Sequence, residues 1–224
     1  MSLIGFDDLY QFADNLPAPI SVVAAGGADP TVLQALSLAQ RRGWINPVLT
    51  GKSNEIQQLA NDLQIDLTGF RIIDADDPAG AAVAEIQAGR AQTLMKGQIA
   101  TPALMKAVLS RETGLRTNRC ICQVVLMEIP RDQRRFLLSD TGITIQPTLD
   151  QKRDILQSLV EVATVLRESG STEPPRIAAM AATEKASEAM PDTLDAAELT
   201  RRNAAGEIPG CVVQGPLSFD LAYA

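Results

Sequence analysis

The sequence contains no histidine among its 224 residues. That absence removes the commonest zinc ligand, the Ser-His and Cys-His catalytic pairs, and the usual general base near neutral pH. Three cysteines, Cys120, Cys122 and Cys211, are too few for a disulfide framework. We therefore expect no bound metal, and any acid–base chemistry has to use carboxylates, lysines or the substrate itself.

Long apolar runs are also missing. No run approaches the roughly 20 residues that a membrane-spanning helix needs. Residues 1–8 lack the basic and apolar regions of a signal peptide. The sequence therefore predicts a cytoplasmic protein without a membrane partner.

Positive charge is scarce overall but concentrated in one stretch. The 20 basic and 27 acidic residues give a net charge of −7, which argues against non-specific nucleic-acid binding. Between Arg111 and Arg135, however, six arginines accompany three acidic residues, and this local surplus suits an anionic ligand. The alternative is a solvated hairpin end, because residues 130–133 have the composition of a turn. No aromatic residue lies in the stretch to stack on bases, so we expect no nucleic-acid partner.

Short apolar runs rich in branched residues alternate with helical patterns through the first half of the chain. This order predicts a mostly parallel sheet with helices on both faces. The expected strands are 20–25, 47–49, 71–73 and 93–95, and the expected helices are 31–42, 54–63, 78–87 and 103–110.

The second half begins with a different pattern. Apolar runs at 121–129 and 135–138, separated by a turn, predict an antiparallel hairpin. The elements expected after it are a long helix at 150–168, a strand at 177–181, a helix at 194–205 and a strand at 211–213.

The run Leu94-Met95-Lys96-Gly97, followed by Thr101-Pro102, predicts an anion site. It places a lysine at the end of a strand, and we expect Thr101 to be the N-cap of the next helix with Pro102 at its first position. A helix start exposes backbone N–H groups and the positive end of the helix dipole, which both favour phosphate. The alternative is an ordinary corner between a strand and a helix, which uses the same residue types.

Two glycine-containing segments resemble nucleotide motifs but lack the required spacing. Gly51-Lys52-Ser53 would need a glycine at position 46, where the chain has Asn46. A capping pair of Asn54 and Gln57 explains that segment without a nucleotide. The residues after the first strand lack the dinucleotide fingerprint, and we expect Asp29 to be an N-cap before Pro30.

Several separated motifs together resemble the phosphate acetyltransferase and phosphate butyryltransferase family, and its butyryl branch more closely. The motifs are Leu94-Met95-Lys96-Gly97 with Thr101, Gly114-Leu115-Arg116-Thr117, Ser139-Asp140 with Pro147 and Lys152, and Gly215-Pro216-Leu217 with Asp220.

The resemblance implies an α/β fold of three α/β/α layers, shared with isocitrate and isopropylmalate dehydrogenases, in two domains with a cleft. We place a first domain at 1–140, ending in the hairpin, and a second at 141–224. The implied reaction moves a short acyl group between coenzyme A and inorganic phosphate, by direct attack of the thiolate on an acyl phosphate. Acyl-CoA and phosphate are then substrates, no cofactor is bound, and a homodimer is expected.

The resemblance also implies roles for individual residues. Lys96 and Thr101 would bind phosphate, together with Arg116 and with Lys106, which stands where the family usually has arginine. Asp140 would orient a cation or accept the thiol proton, and with Lys96 forms the expected catalytic pair. The alternative role of Asp140 is to cap a loop. The residues that contact coenzyme A are left unassigned.

The sequence also departs from the family pattern. Gln123 stands where butyryl-type members commonly have histidine, and Thr144 stands where asparagine is usual. The chain stops at Ala224, before further strands and helices and a Ser-Arg pair, so we expect an incomplete second domain with uncovered sheet edges. A second hypothesis is therefore an inactive or partner-dependent relative that binds phosphate or coenzyme A. A dehydrogenase on the related fold is the third, although no nicotinamide fingerprint or ligand cluster supports it.

Overall fold

The structure, a computed structural model, describes residues 2–223 and contains two compact units. We call residues 10–118 the N-terminal unit, and residues 119–223 together with 2–9 the C-terminal unit. The units divide between residues 118 and 119, whereas the expected domain boundary between 140 and 141 stays a prediction. A helix that the sequence did not predict, α1 (Phe6–Asp14), precedes the first strand.

The N-terminal unit is built from four strand-and-helix pairs, as the sequence predicts. Its four strands form one parallel sheet in the order β3-β2-β1-β4. The elements are β1 (Ile20–Ala25), α2 (Pro30–Arg41), β2 (Ile45–Gly51), α3 (Ser53–Asp62), β3 (Arg71–Asp74), α4 (Pro78–Gln87), β4 (Thr93–Lys96) and α5 (Thr101–Val108).

The core of this unit lies on both faces of the sheet. Successive residues of β1 point to opposite faces, and they enter two separate apolar clusters. Val22 and Ala24 pack in one cluster, whereas Val23 and Ala25 pack in the other. Burial on both faces explains why β1 is apolar from Val22 to Ala25 and confirms the expected layered arrangement.

Two of the expected helix caps can be compared with the structure. Asp29 caps α2, because its carboxylate accepts a hydrogen bond from the Val32 N–H at 2.9 Å, which confirms that prediction. The predicted capping pair of Asn54 and Gln57 is wrong, since α3 begins at Ser53. The Ser53 N–H instead donates to Asp74 at the end of β3, at 2.8 Å. A carboxylate from the neighbouring strand thus replaces a local cap.

The C-terminal unit contains two small sheets. Its elements are β5 (Val125–Ile129), β6 (Arg134–Leu138), α6 (Leu149–Val165), β7 (Arg176–Met180), α7 (Pro191–Ala204), β8 (Val212–Leu217) and α8 (Phe219–Tyr223). Strands β5 and β6 form the expected antiparallel hairpin, whereas β7 and β8 pair in parallel. The strand expected from residue 121 begins only at Val125, because residues 121 and 123 bond to side chains of the loop after β6 instead.

Helices α6 and α7 are joined by charge as well as by apolar packing. Leu156, Leu199 and Val213 belong to the buried cluster of this unit. Lys152 of α6 donates to two carboxylates of α7, Asp192 at 2.7 Å and Asp195 at 2.8 Å. None of the helices in residues 2–223 combines the length and the apolar character that crossing a bilayer would require.

Candidate functional site

The carboxyl end of β4 lies close against the end of β1. The Gly97 N–H donates to the Ala25 carbonyl oxygen at 2.8 Å, and the Gln98 N–H donates to that of Gly26 at 2.8 Å. A Cβ added at Gly97 would lie 2.0 Å from the Gly26 carbonyl oxygen, so only glycine fits. This close approach fixes the backbone on which Lys96 stands.

Lys96 is exposed at the carboxyl end of β4. Its ammonium group donates to the Gly97 carbonyl oxygen at 3.3 Å, and it forms no ion pair with any residue from 2 to 223. A lysine without a carboxylate partner keeps its charge available for an anion. The position agrees with the expected phosphate-binding role, which stays a prediction.

Helix α5 begins five residues after Lys96, but not as expected. Its N-cap is Ala100, and Thr101 is the first helical residue, so the prediction that Thr101 is the N-cap is wrong. No side chain caps this helix start. Pro102 occupies the second helical position instead of the first. Proline is tolerated there because the first N–H groups of a helix have no partner within it. The uncapped helix start and the Thr101 hydroxyl remain exposed beside the strand end.

Lys106 lies on the same helix but on another side of it. A helix turns about 100° per residue, so Lys106 is about 140° around α5 from Thr101. Its side chain is exposed. The structure therefore places Lys106 on the predicted helix without bringing it onto the face that carries Thr101.

Arg116 lies near the opposite end of α5. The Leu115 N–H donates to the Val108 carbonyl oxygen at 2.7 Å, which folds the following loop back onto the last turn of the helix. A helix of eight residues is about 12 Å long. Arg116 is exposed and makes no ion pair with the described residues, so it is free to bind an anion. Its backbone lies by the last turn of α5, far from Thr101 at the first turn.

Asp140 lies in the C-terminal unit, directly after β6, where it closes a tight loop. Its carboxylate accepts N–H groups from Gly142 at 2.9 Å, Ile143 at 3.0 Å and Thr144 at 3.0 Å. Burial by itself raises the pKa of Asp140, but the backbone N–H donors outweigh burial and the net pKa is lowered. This geometry favours the alternative role as a loop cap. The expected catalytic role stays a prediction.

The loop capped by Asp140 is also tied to the segment before β5. The hydroxyls of Ser139 and Thr141 each donate to Gln123, to its carbonyl oxygen and its side-chain oxygen respectively, both at 2.6 Å. The Thr144 hydroxyl donates to the Ile121 carbonyl oxygen at 3.0 Å. Sequence reasoning noticed Gln123 and Thr144 only as departures. The cluster of hydroxyl and carboxyl residues after a strand was the available signal of a hydrogen-bonded loop.

The described residues provide no group of three or more carboxylate or cysteine side chains placed to hold a metal ion.

Comparison with known proteins identifies the family. The family described as "Phosphate acetyl/butaryl transferase" matches residues 75–224. The chain belongs to this family. The match includes all five candidate residues, Lys96, Thr101, Lys106, Arg116 and Asp140.

Individual relatives agree with this family. The phosphate acetyltransferase of Thermotoga maritima is 36% identical over 216 residues, covering 96% of this chain and 71% of the relative. The phosphate butyryltransferase of Clostridium acetobutylicum is 33% identical over 204 residues, covering 90% of this chain and 66% of the relative. Names from both branches occur at similar identity, so the expected closeness to the butyryl branch stays a prediction.

A solved structure confirms the fold. The branched-chain phosphotransacylase of Enterococcus faecalis superposes with a TM-score of 0.73 at 30% identity, covering 91% of this chain and 70% of that one. The expected fold class is therefore confirmed. The match with this chain covers from 62% to 71% of the length of these curated relatives.

Proposed function

We propose that the chain acts in the transfer of a short acyl group between coenzyme A and inorganic phosphate. The observation that carries the proposal is the 36% identity to a phosphate acetyltransferase over 96% of the chain. The absence of histidine is compatible with this reaction, because direct attack of a thiolate on an acyl phosphate needs no covalent acyl-enzyme. Coenzyme A is then a substrate rather than a bound cofactor.

The phosphate end of the reaction is proposed to lie at the edge that carries Lys96. An exposed cation and an uncapped helix start, five residues apart in the chain, both favour a dianionic phosphate. In the direction that forms acyl-CoA, the coenzyme A thiolate forms a C–S bond with the acyl carbon. The bond between that carbon and the phosphate oxygen breaks, and phosphate leaves. Lys96 would stabilise the charge that collects on the leaving oxygen.

The family resemblance suggests roles for three further residues. Lys106 and Arg116 would contribute positive charge, and Lys106 would hold phosphate without the planar fork of arginine. Asp140 would accept the thiol proton or, as its lowered pKa favours, hold the loop in which it stands. A carboxylate with a lowered pKa is a weak proton acceptor, which favours the second of these roles.

A cytoplasmic location, a homodimer and acyl phosphate as a product also belong to this proposal. They follow from the sequence expectations and from the family resemblance. Measurement of the mass in solution by light scattering would test the dimer.

The test of the reaction is release of free thiol from acetyl-CoA and butyryl-CoA, with and without inorganic phosphate. We expect phosphate-dependent release that Lys96→Ala lowers by about 100-fold, the size of effect that follows loss of one charged transition-state contact. Lys185→Ala is the matched control, because Lys185 is an exposed lysine outside the proposed site. Equal activity of the Lys96 variant and the wild type would remove Lys96 from the site.

The second candidate is a relative that binds phosphate or coenzyme A without turnover, or that needs a second polypeptide for activity. A folded preparation that binds coenzyme A calorimetrically but releases no thiol would support this candidate over the first.

A further inference from the structure

The loop after α5, residues 109–116, has a fixed backbone. The side chain of Gln87, the last residue of α4, donates to the Gly114 carbonyl oxygen at 2.9 Å. A Cβ added at Gly114 would lie 2.4 Å from the Ser110 carbonyl oxygen and 2.5 Å from that of Val108, so only glycine fits at this close approach. The 109–116 loop is therefore held against the carboxyl ends of both α4 and α5.

Two arginines of the 109–116 loop, Arg111 and Arg116, have no partner for their charge among residues 2–223. Both are exposed, and within that range neither guanidinium forms a hydrogen bond or an ion pair. Glu112, the one acidic residue of the loop, is also exposed and forms no ion pair with the described residues. The whole chain has a net charge of −7, so this loop is a local exception that offers positive charge to an anion.

The position of Arg116 separates it from the proposed site for inorganic phosphate. Its backbone lies by the last turn of α5, whereas Thr101 lies in the first turn, and the helix is about 12 Å long. A phosphate ion bound at the start of α5 would therefore lie most of a helix length from the Arg116 backbone. The other substrate of the proposed reaction has anionic groups at such a separation. Coenzyme A carries its thiol at one end of the pantetheine arm and its phosphates at the other.

We propose that Arg111 and Arg116 bind the phosphate groups at the nucleotide end of coenzyme A. A guanidinium group can form two parallel hydrogen bonds with phosphate oxygens, and a loop that is already fixed loses little conformational entropy on binding. The inference rests on the proposed function and changes the role of Arg116 within it, from inorganic phosphate to coenzyme A. The pantetheine arm then runs along α5 and brings the thiol toward Lys96.

The test is calorimetric binding of coenzyme A to the whole chain and to Arg116→Ala. We expect the variant to bind coenzyme A at least about tenfold more weakly, as loss of a hydrogen bond to a charged group implies. Higher salt should weaken binding by the wild type more than by the variant, because salt screens exposed charges. Arg111→Ala should show the same pattern. Arg41→Ala is the matched control, because Arg41 is an exposed arginine at the end of α2 in the same unit.

The melting temperature of the ligand-free chain distinguishes binding from a purely structural role. Cations near the carboxyl end of a helix also complement its dipole. In that role Arg116→Ala would lower the melting temperature and leave the affinity for coenzyme A unchanged. This result would overturn the proposal, and so would equal affinity at an unchanged melting temperature.

Thiol release separates the inference from the reaction on which it rests. In an active chain, Arg116→Ala should raise the KM for acetyl-CoA at least about tenfold and leave the KM for inorganic phosphate unchanged. A rise in the KM for phosphate alone would overturn the inference while the proposed function stands. Absent thiol release together with Arg116-dependent binding of coenzyme A would remove the proposed function and keep the binding site. A wild-type chain that binds no coenzyme A would overturn both.

Discussion

The two compact units contain the same kinds of element but complete their sheets to different degrees. In the N-terminal unit, four strands form one sheet, and β1 and β2 have strand partners on both edges. Val23, Leu33, Leu49 and Ile56 are fully buried there. In the C-terminal unit each described sheet has two strands, so every strand has a free edge, and its core cluster keeps 4% to 9% exposure.

The difference shows what complete burial requires. A strand becomes fully buried only when neighbours pair with both edges and helices cover both faces. In the N-terminal unit β1 and β2 meet this condition, whereas Lys96 lies on β4, which pairs with β1 alone within the described residues. Asp140 instead depends on the hydrogen bonds of one loop, because the hairpin before it offers a single pair of strands.

Core truncations give the largest expected contrast between the units. Leu49→Ala should lower the free energy of unfolding by about 4 kcal/mol, since Leu49 is fully buried in a closed core. Leu199→Ala should cost about 2 kcal/mol, because Leu199 is 5% exposed and its surroundings can relax more easily. Urea unfolding measures both, with emission of the single tryptophan, Trp44, reporting on the N-terminal unit and circular dichroism on the whole chain.

The control for these truncations is Leu38→Ala, because Leu38 is 54% exposed and should change stability by less than about 0.5 kcal/mol. A cost at Leu199 equal to that at Leu49 would show that the C-terminal core is as closed as the N-terminal one.

A buried carboxylate of the N-terminal unit, Glu85, gives the next largest effect. Hydrogen bonds from Arg90 and Arg71 lower the pKa of Glu85 from 4.5 to about 2. A lowered pKa stabilises the folded state above about pH 4.5, and this contribution is lost as the pH falls toward 2. Glu85→Gln should therefore destabilise the N-terminal unit by about 2 kcal/mol at pH 7, and wild type and variant should converge near pH 2.

Thermal unfolding followed by Trp44 emission between pH 2 and 7 measures the Glu85 effect. The exposed carboxylate variant Glu55→Gln is the matched control on the same unit. A difference that persists undiminished at pH 2 would contradict an electrostatic origin.

The smallest effect is expected at the Asp140 loop. Asp140→Asn keeps one acceptor oxygen but loses the charge, so we expect a cost of about 1 kcal/mol, comparable to loss of a helix cap. Because the pKa of Asp140 is lowered, the carboxylate stabilises the loop above its ordinary pKa, and this contribution disappears as the pH falls. Faster hydrogen exchange at Gly142, Ile143 and Thr144 would report the loss, whereas unchanged exchange would show that the loop holds without its cap.

Regular elements were predicted well where each apolar run forms its own strand or helix. The helix expected at 78–87 has the observed bounds of α4, and the hairpin pairs as predicted. Helices α1 and α8 were both missed. In α1, Phe6, Leu9, Tyr10 and Ala13 do follow a helical spacing. Helix α8 has only five residues, which is too short to show a helical period. Contacts distant in the chain hold α1, including the stacking of Tyr10 on Trp44.

The candidate site was predictable only where its residues are neighbours in the chain. Lys96, Gly97 and Thr101 follow one another around a single corner, so the local pattern indicated them together. The bonds of Ser139 and Thr141 to Gln123 join residues 16 and 18 positions apart, and no periodicity links such residues.

The sequence alone determined the order of strands and helices, the absence of histidine chemistry and the family. Each of these depends on residue identity or on neighbours within one element. Tertiary structure alone decided that Arg116 lies by the far end of α5, that Asp140 holds a loop, and that β7 pairs with β8 rather than with the hairpin. These features depend on backbone hydrogen bonds between distant segments. Every residue carries the same backbone groups, so such pairing leaves no trace in the identity of the side chains.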